Sequence, residues 1–210
     1  MSTKKMLMSL FSRKGCTCCW KDKEINSYGF CRECFIRLCL LESKPGDDTF
    51  HVFRYEGEIR RIISDLKYRR KKYYAQRLAM VLAAYLAERK DTLSFDVIVP
   101  VPLHWKKEFS RGFNQSAMIS VCLGRILKKK VMLDALAKSK NTISQTALGR
   151  EDRKRNMSGI FASGRQRIME KSFVLLVDDV YTTGATALSA KKTLLSAGAS
   201  TVIILTVAKA

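Results

Sequence analysis

The residues best placed to do chemistry are Asp178 and Asp179, side by side in the run VLLVDDVYTTGAT, Val174 to Thr186. Four apolar residues precede them, and Thr182, Thr183, Gly184, Ala185 and Thr186 follow in a short loop. An unbroken apolar run is what a parallel strand covered on both faces requires. Ligands of open α/β sheets sit beyond the carboxyl ends of such strands, which is where this pair is expected. The loop leads into a predicted helix, Ala185 to Ala197, closed by Gly198. Backbone N–H groups at a helix start attract an anion, and glycine lets the chain approach it closely.

The carboxylates cannot favour a phosphate by charge. They suit sugar hydroxyls, or Mg²⁺ held between ligand oxygens. A ligand with a phosphate at one end and a diol at the other, a ribose 5-phosphate, fits both halves of the run. A nucleotide-hydrolase strand also ends in Asp, but its G-x-x-x-x-G-K-[ST] loop does not occur in the chain. Acids serving only as helix N-caps would account for a lone Asp-Asp, though not for the whole run.

A second constellation is Cys16-x-x-Cys19 and Cys31-x-x-Cys34, two knuckles separated by eleven residues. Each offers two thiolates from one tight turn, the donor set of a structural zinc. Cys18 competes with the first knuckle, and Cys39, on the apolar stretch FIRLCLL, is expected in a core. Six of the seven cysteines lie between residues 16 and 39, so a small module, 1–48 with its Pro-Gly linker, is expected before a larger domain, 49–210.

Charge is the third signal. Lys and Arg number 39 against 19 Asp and Glu, a formal net charge of +20, which calls for an anionic partner. LKYRRKKYY, Leu66 to Tyr74, interleaves Lys67, Arg69, Arg70, Lys71 and Lys72 with Tyr68, Tyr73 and Tyr74. Cations track phosphates and aromatics stack on unpaired bases, as in single-strand binding. The same run also reads as a helix junction with partly buried tyrosines. No apolar run reaches a membrane span, and the N-terminal segment lacks a signal peptide's apolar core and cleavage site, so a cytoplasmic protein is expected.

The elements that must position these residues follow from periodicity. A strand is expected at Phe50 to Tyr55, helices from Gly57 and over Tyr74 to Arg89, a strand Phe95 to Val99 stopping at Pro100, and a helix Phe113 to Lys128. A strand Val131 to Ala137 and a polar insert Asn141 to Ser158 come next. Strand Phe173 to Val177, its helix, and strand Thr201 to Val207 form a βαβ unit. The fold class is α/β, a parallel sheet flanked by helices with a small four-cysteine module.

VLLVDDVYTTGAT resembles the PRPP-binding motif of type I phosphoribosyltransferases. VIVPVPLHWKKEFSRGFNQ, RYEGEIRRIISDLKYR and TISQTALGREDRKRNMSGIF resemble segments of the ComF family within that fold. The resemblance implies that Asp178 and Asp179 contact the ribose as the catalytic pair, and that Thr182 to Thr186 hold the 5-phosphate. Val101, Pro102, Leu103 and His104 become the pyrophosphate loop. Residues 137–161 become the hood, whose Arg150, Arg153, Lys154 and Arg155 could close over pyrophosphate. A four-cysteine zinc finger, Mg²⁺ bound with PRPP, single-stranded DNA, other competence proteins and a role in DNA uptake are implied as well. Arg111, in RGFNQ, is a candidate anion contact. Two functions stand: a phosphoribosyltransferase of unknown acceptor, or a non-catalytic single-stranded-DNA-binding factor whose PRPP pocket is a sensor or relic.

Overall fold

In the computed structural model, residues 15–36, 38, 41, 47–89, 94–103, 105–138, 160–164, 168 and 170–210 are described. The core is a five-stranded sheet: β1 (Thr49–Arg54), β2 (Val97–Pro100), β3 (Lys130–Val131), β6 (Phe173–Tyr181) and β7 (Thr201–Lys209). Its order is β1-β7-β6-β2-β3, and all four pairings are parallel. β4 (Leu136–Lys138) and β5 (Phe161–Ser163) make a separate antiparallel pair.

Side chains alternate along each strand, as the pleat demands. Leu175 and Val177 of β6 and Ile203, Leu205 and Val207 of β7 join one buried cluster; Val174, Leu176, Val202 and Ile204 join the other. The first face is covered by α2 (Gly57–Tyr68), α3 (Tyr73–Ala87) and α5 (Gln115–Leu127), through residues such as Ile59, Ile63, Leu82 and Ile119. The second is covered by α6 (Ala185–Ser196), through Ala187, Ala190 and Leu194, and by Leu136 and Phe161 of the β4–β5 pair. Two shorter helices, α1 (Arg32–Ile36) and α4 (Trp105–Arg111), complete the described elements.

α3 is buried almost all round, from Tyr74 to Leu86, as suits a helix apolar on every face. The cysteine module covers its outer side. Trp20 lies edge-on to Tyr73 with ring centroids 4.9 Å apart and donates from Nε1 to Tyr74 Oη at 3.3 Å. Arg77 of α3 donates to the Gly15 carbonyl at 3.3 Å, and Phe30 meets Phe53 of β1 at 6.0 Å. The module is thus docked onto the helical face of the sheet.

Several expected boundaries move. The ladder between β6 and β7 continues past the apolar run, pairing Asp178 with Thr206 and Tyr181 with Lys209, so the strand expected to stop at Val177 ends four residues later. The strand expected over Val131 to Ala137 is interrupted by a turn at Leu133 and Asp134 and divides between β3 and β4. The helix expected from Phe113 begins at Gln115, because Asn114 caps it. Cys39, His104 and the insert Asn141 to Ser158 lie outside the described residues.

Candidate functional site

β2 and β6 are neighbours, yet the connection after β2 leads through α5 to β3 on one side and the connection after β6 leads through α6 to β7 on the other. A crevice opens where connections diverge in this way. β2 ends at Pro100, which is level with Val177, so Asp178 and Asp179 come just beyond the last β2 pairing.

Each acid has its own partner. Ser116, in the first turn of α5, donates from its hydroxyl to Asp178 Oδ1 at 2.7 Å, and the Asp179 N–H reaches the same oxygen at 2.9 Å. The Lys67 ammonium, in the last turn of α2, is 2.6 Å from Asp179 Oδ2, with Lys67 15% and Asp179 5% exposed by side chain. Burial, then the adjacent Asp179 charge, raises the Asp178 pKa above the usual carboxylate range; Ser116, the Asp179 N–H and Lys67 act the other way.

Gly184 supplies what the loop needs: φ is +78°, and a Cβ there would lie 2.1 Å from the Tyr181 hydroxyl. The Ala185 N–H starts α6 and faces Thr183 Oγ1 at 3.5 Å. Thr182 and Thr183 are exposed. Across the crevice, Val101, Pro102 and Leu103 follow β2, and the Val101 N–H bonds to the Val177 carbonyl at 2.9 Å. Asn114 fixes that loop. Its Oδ1 accepts from the Ser116 and Ala117 N–H groups, and its Nδ2 donates to the Val101 carbonyl at 3.1 Å. The Asn114-Gln115-Ser116 run therefore caps a helix, holds a loop and orients an acid, roles its spacing alone did not reveal.

Of the basic run, Lys67 is turned inward to the acid pair. Arg69 and Lys71 lie 3.3 and 2.8 Å from the buried carboxylate of Asp65, which Arg61 also faces at 3.8 Å. Lys72 stands 5.3 Å over the Phe113 ring, and Arg70 sits in the link to α3 with φ of 53°. Arg111, closing α4, lies 5.0 Å over the Tyr68 ring.

Cys16, Cys19, Cys31 and Cys34 have sulfurs all within 4.8 Å of one another, and Cys19 and Cys31 are 3.9 Å apart. Tetrahedral zinc–thiolate bonds place sulfurs about 3.8 Å apart, so the donor set and its spacing fit zinc. Burial alone would raise the Cys16 thiol; hydrogen bonds from the Cys19, Cys31 and Cys18 backbones outweigh it and bring it down to about 7. Cys18 is outside the cluster. Burial, then Glu58, pushes its thiol up to about 11, and its carbonyl accepts from Arg61 Nη2 at 3.0 Å, tying the knuckle to α2.

No protein-family model matches the chain. The DNA utilization protein YhgH of Escherichia coli K12 is 30% identical over 167 residues, 78% of this chain and 73% of that protein. The chain belongs to the ComF family. Competence protein F of Haemophilus influenzae is 26% identical over 218 residues, 96% of this chain and 94% of its own length. Competence protein ComFC of Bacillus subtilis is 26% identical over 193 residues, 87% of this chain and 72% of its own. Among solved structures, the adenine phosphoribosyltransferase of Leishmania tarentolae aligns with a TM-score of 0.45 at 12% identity, covering 80% of this ComF chain and 94% of that one. The ComF member has a parallel five-stranded sheet flanked by helices, with a four-cysteine cluster near its N-terminus.

Proposed function

We propose that the crevice between β2 and β6 binds PRPP, and that this ComF protein acts on or with single-stranded DNA during DNA uptake. The observation that carries the pocket is its division of labour. A helix start at the left-handed Gly184 follows, by one short loop, two acids that are individually held by Ser116 and Lys67. The helix start takes the 5-phosphate. Asp178 and Asp179 accept from the ribose hydroxyls, and Lys67 offsets the repulsion that two carboxylates would exert on a polyanion. Val101, Pro102 and Leu103 line the pyrophosphate side. Mg²⁺ fits as the partner of the ligand's own oxygens, because Asp179 already faces an ammonium. Bound there, it would offset charge on a departing pyrophosphate. A phosphoribosyl transfer needs positioning and charge neutralisation rather than a protein nucleophile. Zinc in the cysteine cluster is structural in this reading, holding Trp20 and the knuckles against α3.

The names of the relatives, competence and DNA utilization, support the DNA role, as does the net charge of +20. Trp20, Tyr68 and Tyr73 are 43%, 68% and 47% exposed, with Arg69 to Lys72 between the two tyrosines. Such a surface suits a single strand.

Two experiments test this reading. The double substitution Asp178→Asn, Asp179→Asn should abolish PRPP binding with zinc content intact, and unchanged PRPP affinity would remove the pocket assignment. Single-stranded DNA binding should weaken steeply with salt through counterion release. Binding that ignores salt, or none at low salt, would remove the DNA partner.

A further inference from the structure

The acceptor side of the pocket has no assigned residue. We propose that Tyr68 and Arg111 form a stacking platform for an unpaired nucleobase at the rim of the ribose site. The inference rests on the PRPP reading of the acid pair for its location.

Tyr68 ends α2, directly after Lys67, and is 68% exposed, so one aromatic ring stands largely in solvent. A lone exposed ring is ordinary. This one is held. The Arg111 guanidinium lies over it at 5.0 Å, with Nη2 3.4 Å from the Tyr68 hydroxyl. Arg111 is fixed in turn, donating from Nη1 to Gln115 Oε1 at 3.2 Å. Ring and guanidinium therefore form a braced pair.

Both halves of the pair adjoin the residues that hold the acids. Lys67, which meets Asp179, precedes Tyr68 in the chain; Ser116, which meets Asp178, follows Gln115. One Cα step of about 3.8 Å, the Lys67 side chain and its 2.6 Å ion pair link the Tyr68 backbone to Asp179.

The chemistry selects a nucleobase. A tyrosine face stacks on any base, and an adjacent guanidinium adds a cation–π term and a donor for base carbonyls or phosphate. Arg69, the residue after Tyr68, is 72% exposed by side chain and lies 3.3 Å from Asp65. Cations flanking the platform favour a base carried on a nucleic-acid strand over a free base, which has no phosphates to meet them.

The test uses 2-aminopurine, whose fluorescence is quenched by stacking. The probes are the free base and a short thymidine oligonucleotide carrying one 2-aminopurine, each titrated into the zinc-loaded full chain. Quenching of the oligonucleotide probe is expected, with affinity about ten- to a hundredfold weaker in Tyr68→Leu and retained in Tyr68→Phe. Arg111→Ala should weaken it further than Arg111→Lys. Tyr68-dependent quenching by the free base alone would keep the platform and overturn the choice of a strand. No quenching by either probe, or equal affinity in Tyr68→Leu, overturns the platform. PRPP is titrated into the same wild-type protein. If PRPP does not bind while Tyr68-dependent quenching persists, the pocket reading falls and the stacking site stands. If PRPP binds and neither probe depends on Tyr68, the reverse holds.

Discussion

Removing Lys67 should cost far more than removing any other cation of the basic run. At 2.6 Å the attraction between Lys67 and Asp179 is about 6 kcal/mol for an effective dielectric near 20, before the desolvation of both groups is subtracted. Breaking such a pair from one side costs about 3–5 kcal/mol in buried settings, since the surviving charge stays desolvated. Here the survivor also sits against Asp178, which makes its position worse. We expect Lys67→Met to destabilise the fold by about 3 kcal/mol, and by less than about 1 kcal/mol when Asp179→Asn is already present. The coupling from a double-mutant cycle should then be about 2 kcal/mol. Urea unfolding of the four zinc-loaded proteins measures it. Arg69→Ala is the control. Arg69 is exposed and shares Asp65 with Lys71 and Arg61, so its loss should cost no more than about 1 kcal/mol. A Lys67–Asp179 coupling below about 0.5 kcal/mol, the value of an exposed pair, would refute the role given to Lys67.

Further outcomes follow from the cluster, the loop and the edge strand. Cys31→Ser should lose zinc and free Trp20 from Tyr73 and Tyr74, with a red-shifted emission, whereas Cys18→Ser should keep one zinc per chain; atomic absorption decides between them. Gly184→Ala meets the Tyr181 hydroxyl and a φ of +78°, so it should lower stability by about 1–2 kcal/mol and weaken PRPP binding more than tenfold, read by thermal melting and calorimetry. His51 Nδ1 and Thr206 Oγ1 share a hydrogen bond at 2.8 Å, and burial, then Lys209, lowers the His51 pKa to about 4. The unfolded chain therefore binds the extra proton between about pH 6.5 and 4, and stability falls as pH drops through that window. We expect about 1–3 kcal/mol of acid-side loss in the wild type and a smaller loss in His51→Gln, measured by urea unfolding at pH 7 and 4.5.

Much of the fold is legible in the sequence because periodicity and apolar runs are local signals. The covered strand at Val174, the amphipathic α2 and the cysteine spacing fall into this class. The ladder that carries β6 through Asp178 to Tyr181 is not local, since it depends on β7 continuing alongside. The identity of the acids' partners is also non-local. Lys67 reads as one more cation in LKYRRKKYY, and nothing in that run says that one residue of it faces the crevice. Ser116 carries no signal beyond its place after an N-cap asparagine. A hint was available for Asn114, because Asn before a helix satisfies the first-turn N–H groups. The all-round apolar character of α3 is a stronger hint of the same kind. A helix so largely apolar needs a cover, and the cysteine module supplies part of it through Trp20, which packs on Tyr73 and Tyr74, with Tyr28 bonded to Glu88 just past the helix end.

The most direct test of the central claim is calorimetric titration of PRPP into the zinc-loaded protein, with and without Mg²⁺. Saturable binding with one PRPP per chain, strengthened by Mg²⁺, is the result expected from a cradle at Gly184 beside the acid pair. Absence of binding, in protein shown to be folded and to hold zinc, would contradict the account and leave the basic, aromatic surface to carry the function.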